Sequence, residues 1–272
     1  MNITEFLSYA FVQKALIAGS LIAVITAVLG VFLVLKRLSL IGDSLSHVAL
    51  SGIALGLITN TSPIFTAIPV VMLSSLGIYK ISKSAKVHSD GALGIIAAAG
   101  IALGLIIATL AGGFNVDLLS FLFGSILTVN LSEIILAAVL LFIIAALVYF
   151  FYNDLIAITF DENFAKTAGV NTERINIMLV LISAAAVVIA LKVAGIMLVS
   201  AMIIIPPTAA LQLAKTFRRA LFLAAAFSVT GVITGIYSAF VFNMPSGAMI
   251  ITADILILIF TVLLRTYALK KR

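Results

Sequence analysis

Apolar segments about as long as a bilayer is thick recur along the whole of this 272-residue chain. A helix rises 1.5 Å per residue, so about 20 apolar residues cross a hydrocarbon core of about 30 Å. Hydrophobic residues make up 64% of the chain and charged residues only 10%, whereas roughly 25% of a soluble globular protein is charged. We therefore predict a single all-α, polytopic membrane domain that covers residues 1–272.

Basic residues lie in five short clusters between the apolar segments, as the positive-inside rule produces for cytoplasmic loops. The polar joints near residues 60–63, 112–130 and 243–247 contain no lysine or arginine and are predicted to be external. This charge pattern also explains the net charge of +6 without a nucleic-acid partner. With the N-terminus outside, the nine predicted spans cover residues 14–36, 40–58, 63–82, 92–111, 131–152, 174–192, 195–214, 219–242 and 247–267.

The span at residues 195–214 contains two consecutive prolines, Pro206 and Pro207. Proline lacks the N–H that an α-helix needs and clashes with the preceding turn, so we expect the helix to be interrupted there. An arrangement of eight spans with a re-entrant segment is the alternative, because irregular backbone is tolerated at membrane depth where protein covers it.

Glycines at four-residue spacing occur in the second and fourth predicted spans, as Gly52 with Gly56 and Gly100 with Gly104. Small residues at this spacing let neighbouring backbones approach closely where hydrophobicity alone does not drive helices together. We therefore expect these two spans to pack tightly against other helices.

Asp43 and His47 stand four residues apart near the start of the second span. On a helix this spacing puts both side chains on one face. A carboxylate and an imidazole suit a transition metal, and the absence of cysteine excludes thiolate ligands. The spacing is equally compatible with a structural polar pair, satisfied by neighbouring serine hydroxyls, in which Asp43 is the N-cap of the helix.

Lys192 and Asp254 lie at or inside the outer part of predicted spans. A lone charge at such a position costs about 2.5–3.5 kcal/mol on insertion scales. A structural salt bridge between the two side chains is the simplest explanation. A role in gating is the alternative.

Residues 160–176 form the longest polar stretch of the chain and are predicted to be cytoplasmic. Acidic residues favour the start of a helix because they interact well with its dipole, and Gly169 suits the C′ position that ends one. Its narrow apolar face carries one large residue, so docking against a soluble partner is favoured over membrane anchoring. The residues assigned to this contact are Asp161, Glu162, Phe164, Ala165, Ala168 and Gly169.

Six motifs, in this order, make nearly the whole chain resemble the membrane permeases of bacterial zinc, manganese and iron ATP-binding-cassette importers. Each motif alone would be weak, whereas the ordered set is specific. The motifs are SLIGDSLSHVALSG at residues 39–52, SDGALGI at 89–95, LFGSIL at 122–127, FDENFAKTAGV at 160–170, VAGIMLVSAMIIIPPTAALQL at 193–213 and MPSGAMII at 244–251.

This resemblance implies a fold related to the vitamin B12 importer permease, in the bacterial plasma membrane. It implies a homodimer bound to two cytoplasmic ATPase subunits and supplied by an extracellular metal-binding lipoprotein. Asp43 and His47 would contact the ion in transit, and residues 160–170 would be the coupling helix that enters the ATPase cleft. Our topology puts Asp43 toward the cytoplasmic side of its span, whereas a transit site is expected nearer the midplane.

The transported ion is the one substrate implied, with no resident cofactor and no enzymatic activity in this chain. No phosphate-binding loop of the G-x-x-x-x-G-K-[ST] type is present. The residues after His47 resemble Gram-positive zinc permeases, which favours zinc, with manganese or iron as alternatives. An ion-coupled secondary transporter is a further alternative, while a membrane metalloprotease would need an H-E-x-x-H helix, and the chain has only His47 and His88.

Overall fold

The computed structural model describes residues 8–83, 89–110, 121–122, 124, 129–196 and 198–270. His88 and most of the external segment before residue 129 therefore lie outside the described residues. The helices in these ranges are α1 (Ala10–Leu35), α2 (Ile41–Ile58), α3 (Pro63–Lys83), α4 (Ser89–Leu110), α5 (Leu131–Phe150), α6 (Tyr152–Phe160), α7 (Glu162–Thr167), α8 (Thr172–Ala194), α9 (Val199–Leu213), α10 (Phe217–Phe242) and α11 (Ser246–Lys270).

Eight of the described helices are long and apolar enough to cross a membrane. In addition to these eight, α9 is a shorter apolar helix. The start of α5 shows how polar residues set the helix boundaries. Asn130 and Glu133 form a reciprocal capping box that satisfies backbone groups at this terminus. At the other end of a long helix, Asn243 takes a left-handed conformation, with φ of 53°, and terminates α10.

Side-chain contacts show that α8 and α10 start at the same end of the bundle. Lys36, which follows α1, bonds Asn176 near the start of α8, and the ring of Phe217 at the start of α10 lies 5.2 Å from that of Phe32 near the end of α1. Because α8 and α10 run in the same direction, α9 between them must cross the bundle in the opposite direction. The described helices thus include eight candidate spans and, between two of them, the shorter α9 that runs in the opposite direction, which favours nine passes over the re-entrant alternative.

The two prolines do not interrupt α9 as expected, because Pro206 and Pro207 both lie inside this 15-residue helix. Pro207 offers no N–H to the Ile203 carbonyl, one turn earlier. That carbonyl faces Gly30 of α1, where a Cβ atom would overlap the carbonyl oxygen. The missing side chain at Gly30 thus makes room for this carbonyl, and the helical interruption comes before α9, after α8 ends at Ala194.

Helix α2 is held between α3 and α4 by the predicted glycine contacts. A Cβ atom added at Gly52 would lie 2.6 Å from the Cα atom of Ala67, and one added at Gly100 would lie 2.6 Å from the Cα atom of Val48. Distances this short mean that the two backbones lie too close together for a side chain to fit between them. These contacts therefore hold the middle of α2, from Val48 to Gly52, from two sides.

Candidate metal centre and coupling segment

Burial along α2 singles out Asp43 and His47. Every other residue between Ile41 and Ala54 is buried, whereas these two side chains retain 46% and 29% of their exposure, respectively. The His47 Nε2 atom lies 3.7 Å from the Asp43 Oδ2 atom. The predicted one-turn spacing on one face is confirmed, and the two donors open away from a helix that is otherwise enclosed.

The neighbouring serines do not satisfy this pair in the way that the structural alternative requires. Ser44 donates its hydroxyl hydrogen to the carbonyl of Leu40, and Ser46 and Ser51 donate theirs to backbone carbonyls of α2. Leu40, not Asp43, is the N-cap residue of the helix. Asp43 and His47 therefore keep free donor atoms for an external ligand.

One copy of the chain supplies two donors at this place. Among the described residues, no group of three or more histidine, cysteine, aspartate or glutamate side chains could hold a metal ion. The pair lies in the first two turns of α2, which begins at Ile41 as the hydropathy predicts. The donors thus sit near the end of the bundle at which α1 ends, which the charge pattern predicts to be cytoplasmic, rather than at the middle of α2.

The segment predicted to be a coupling helix folds as its sequence indicates. The Asp161 carboxylate accepts a hydrogen bond of 2.9 Å from the Phe164 backbone N–H and caps the start of α7. Gly169 has a φ of 87° and occupies the C′ position. Its N–H bonds the Lys166 carbonyl, and the next N–H bonds the Ala165 carbonyl, which completes a Schellman motif.

The predicted apolar face of this helix is split between two environments. Phe164 is 65% exposed and Ala168 is also exposed, whereas Ala165 is fully buried. The assignment of Ala165 to a partner contact is therefore wrong, because its side chain packs against the core of its own chain. Phe164 and Ala168 remain, one turn apart on the outward face.

Glu162 has a role that the sequence did not indicate. Its carboxylate lies 3.7 Å from the Lys36 Nζ atom and accepts a hydrogen bond of 2.9 Å from the Asn176 side chain. Lys36 in turn donates to the Asn176 Oδ1 atom at 2.5 Å. Burial lowers the pKa of Lys36 below its ordinary value of 10.5, and the Glu162 carboxylate offsets part of this effect. Spacing could not reveal this contact, since 140 residues separate Lys36 from Asn176.

The predicted pair of Lys192 with Asp254 is wrong. Lys192 lies 3.5 Å from Glu133 and 4.8 Å from the centre of the Phe121 ring, because the end of α8 meets the start of α5. Asp254 instead faces Gly231 on α10, and neither of its oxygens has a hydrogen-bond partner among the described residues. In the sequence, the spacing of Asn130 and Glu133, which is typical of a capping box, could have indicated that the Glu133 carboxylate is ordered at the start of α5.

Eight helices that are long and apolar enough to cross a membrane, packed together with the shorter α9, define a polytopic membrane protein. The profile of the ABC 3 transport family matches residues 8–265, and the chain belongs to this family. It is a permease subunit of an ATP-binding-cassette metal importer and a multi-pass protein of the bacterial plasma membrane.

Individual relatives carry names that refer to different metals. The manganese transport system membrane protein MntC of Halalkalibacterium halodurans is 33% identical over 91% of this chain and 85% of its own length. The high-affinity zinc uptake system membrane protein ZnuB of Haemophilus influenzae is 27% identical over 87% of this chain and 91% of its own. The structure of PsaBC from Streptococcus pneumoniae in complex with Fab matches with a TM-score of 0.86 and 28% identity, over 96% of this chain and 95% of that one.

Proposed function

We propose that Asp43 and His47 contact a divalent transition-metal ion as it passes through the permease. The observation that carries this proposal is their isolation on α2, where every other side chain from Ile41 to Ala54 is buried. Open polar side chains on an enclosed membrane helix are expensive and mark ion pathways. Their donor atoms, an oxygen and a nitrogen, suit zinc or manganese.

Two copies of the chain would complete the coordination. A two-fold axis beside the exposed face of α2 would bring two carboxylates and two imidazoles to one ion. Four such donors fit tetrahedral Zn²⁺, and water molecules would complete the shell of Mn²⁺. The two donors of a single chain hold an ion weakly, which suits a site from which the ion must also leave.

Within this class of ions, zinc is the cargo we propose. Imidazole donors bind Zn²⁺ more tightly than Mn²⁺ under the general affinity order, and the residues after His47 resemble those of zinc permeases. The relatives do not separate the two ions, since the one named for manganese is 33% identical and the one named for zinc is 27% identical.

The energy for transport would come from separate chains. We propose that α7 docks into a cytoplasmic ATPase subunit, with Phe164 and Ala168 at the contact. An extracellular metal-binding lipoprotein would deliver the ion to the opposite end. Copurification of an ATPase subunit distinguishes this importer from an ion-coupled secondary transporter, which needs no such partner.

Uptake by the reconstituted complex tests the metal site. We expect Asp43→Ala and His47→Ala each to reduce uptake at least about tenfold, the loss that even outer-shell changes cause at metal sites. Assembly should be unchanged, because neither side chain is enclosed by the fold. Leu55→Ala is the matched control, since Leu55 is 37% exposed on the same helix and has no donor atom. Normal uptake by either alanine variant would show that the residue is not an essential ligand.

A further inference from the structure

Three polar side chains join the proposed docking helix to the turn that begins α2. Lys36, Glu162 and Asn176 contact one another pairwise, at 2.5 Å, 2.9 Å and 3.7 Å. They come from the end of α1, the start of α7 and the first part of α8. Each side chain thus contacts the two others. None of the three can move alone without breaking both of its contacts.

Two members of this cluster, Lys36 and Asn176, are enclosed by the fold. The Lys36 side chain is only 9% exposed and Asn176 is buried. A buried ammonium group that loses its partner is strongly unfavourable. The contacts of Lys36 are therefore expected to persist while the surrounding helices move.

The chain between Lys36 and the metal donors is short and tightly bonded. Arg37 adopts a left-handed φ of 58°, and the N–H groups of Arg37 and Leu38 bond carbonyls in the last turns of α1. Helix α2 starts at Ile41, and Asp43 lies in its first turn. A displacement of Lys36 is therefore expected to reach Asp43, because the turn between them is tightly hydrogen-bonded.

A cavity of about 230 Å³ lies beside the cluster. Lys36, Glu162 and Asn176 line it together with Ile41 at the start of α2 and Tyr79 on α3. Close-packed interiors resist displacement, because side chains have no free volume into which they can move. This cavity gives the start of α2 space to shift when α7 moves.

We propose that Lys36 and Asn176 are positioning residues that transmit the movement of α7 to Asp43 and His47. The proposal rests on the proposed function, in which α7 contacts the ATPase and the α2 pair contacts the ion. Binding and hydrolysis of ATP would displace α7, and the Glu162 contacts would carry this displacement to the α1–α2 turn. The affinity of the ion site would then change with the state of the ATPase.

A second ion pair at the same end of the bundle provides the control. Lys83 at the end of α3 lies 3.1 Å from Glu173 at the start of α8. Both side chains are more than half exposed, and such surface pairs contribute little to stability. Lys83 lines the same cavity as Lys36, but among the described residues no hydrogen bond or ion pair joins Lys83 or Glu173 to α7 or α2, so loss of this pair should leave coupling unchanged.

The first experiment measures ions imported per ATP hydrolysed by the complete complex in proteoliposomes. Lys36→Met and Asn176→Ala should each lower this ratio about three- to thirtyfold, the range found when residues along a coupling route are changed. Copurification of the ATPase and its hydrolysis should persist. Lys36→Arg should retain most of the ratio, and Lys83→Met should match the wild type. A wild-type ratio in Lys36→Met would overturn the proposal.

The second experiment detects movement at α2 directly. The chain contains no cysteine, so Leu40→Cys introduces a single reactive thiol at an exposed position just before α2. Its rate of reaction with a water-soluble maleimide should change on addition of ATP, in the wild-type background and with Lys83→Met. With Lys36→Met this ATP dependence should disappear. Persistence of the ATP dependence in Lys36→Met would also overturn the proposal.

These readouts separate the inference from a structural role and from the proposed function. A merely structural role would lower the unfolding temperature of Lys36→Met in detergent, whereas we expect it to stay near that of Lys83→Met, because the half-exposed Glu162 can be solvated. Failure of the ATPase to copurify with the wild type would contradict the proposed function itself. Loss of coupling in Lys36→Met together with normal uptake by His47→Ala would contradict only the metal site.

Discussion

Polar side chains in this protein differ in whether they have an ionic or hydrogen-bonding partner, and this difference indicates the role of each one. Asp43 and His47 are open on an enclosed helix, while Lys192 and Glu133 are mostly buried and paired, with exposures of 14% and 17%. A buried pair of this kind stabilises the fold only while both partners are present. At the scale of single residues, the first pair is suited to a ligand and the second to joining helices.

The Lys192 pair therefore predicts a specific pattern of stability. Lys192→Met or Glu133→Gln alone should lower the free energy of unfolding by about 3 kcal/mol, because each leaves one buried group without its partner. The double variant should recover much of that loss. Unfolding by heat or by denaturant in detergent measures the effect. A double variant whose loss equals the sum of the two single losses would contradict the prediction.

Sequence reasoning located the polar residues of the site but not all of their partners. Asp43 and His47 were predictable because both lie within one helical turn, where the spacing alone fixes the geometry. The partner of Lys192 was not, because Glu133 is 59 positions away in sequence and meets it only through the packing of α5 against α8. The contact of Lys36 with Asn176 was hidden for the same reason.

At the scale of elements, the bounds of the helices follow hydropathy closely, while their internal details depend on neighbours. The predicted span at residues 40–58 corresponds to α2 at Ile41–Ile58. In α9 the prolines remain inside the helix, because Gly30 of the adjacent α1 accommodates the freed carbonyl. No local pattern in α9 itself contains this information.

The outward face of α7 predicts how the helix binds its partner. Phe164→Asp or Ala168→Asp should prevent copurification of the ATPase or uncouple hydrolysis from transport, since a charge would be buried at an apolar contact. The membrane helices should remain folded. Lys166→Asp is the control, because Lys166 is exposed on the opposite side of the helix. Wild-type coupling in both aspartate variants at Phe164 and Ala168 would refute the docking assignment.

Two glycines of α4 allow packing to be tested against helix propensity. A side chain at Gly100 would meet the backbone of Val48 at 2.6 Å, whereas the space around Gly94 is open to 4 Å. Gly100→Val should therefore displace α2 and destabilise the protein by at least about 1–3 kcal/mol, as overpacking does. Gly94→Val should have little effect. Equal unfolding temperatures of the two variants would contradict the tight α2–α4 contact.

The whole molecule supplies half of the proposed metal ligands and is one subunit of an importer. One chain provides two of the proposed donors, and no larger group of possible ligands occurs among its described residues, so the proposed site would be completed by a second copy. In the proposed importer, ion selectivity would also depend on the lipoprotein that supplies the ion. The fold was predictable from composition and charge, because the bilayer restricts a spanning chain to helices. In the proposed site, the choice of metal would depend on how two chains meet, which the sequence of one chain does not contain.

Growth of the source bacterium tests the cargo at this scale. A strain without this chain should grow poorly under zinc chelation, and added zinc should restore its growth because a route of lower affinity then suffices. Added manganese should not restore growth. The matched strain carrying His47→Ala should behave like the deletion. Rescue by manganese alone would make zinc the wrong cargo while leaving the importer itself unaffected.

The shortness of α9 has a consequence for how the protein is made. Its 15 residues extend about 22 Å, less than the roughly 30 Å of the hydrocarbon core, and its two prolines weaken it further as an isolated helix. A nascent chain that ends after α9 cannot hold this segment across the bilayer by hydropathy alone. Its integration has to await α10, and α1 has to be in place to receive the Ile203 carbonyl at Gly30. The last three passes are therefore expected to enter the membrane as one unit during synthesis.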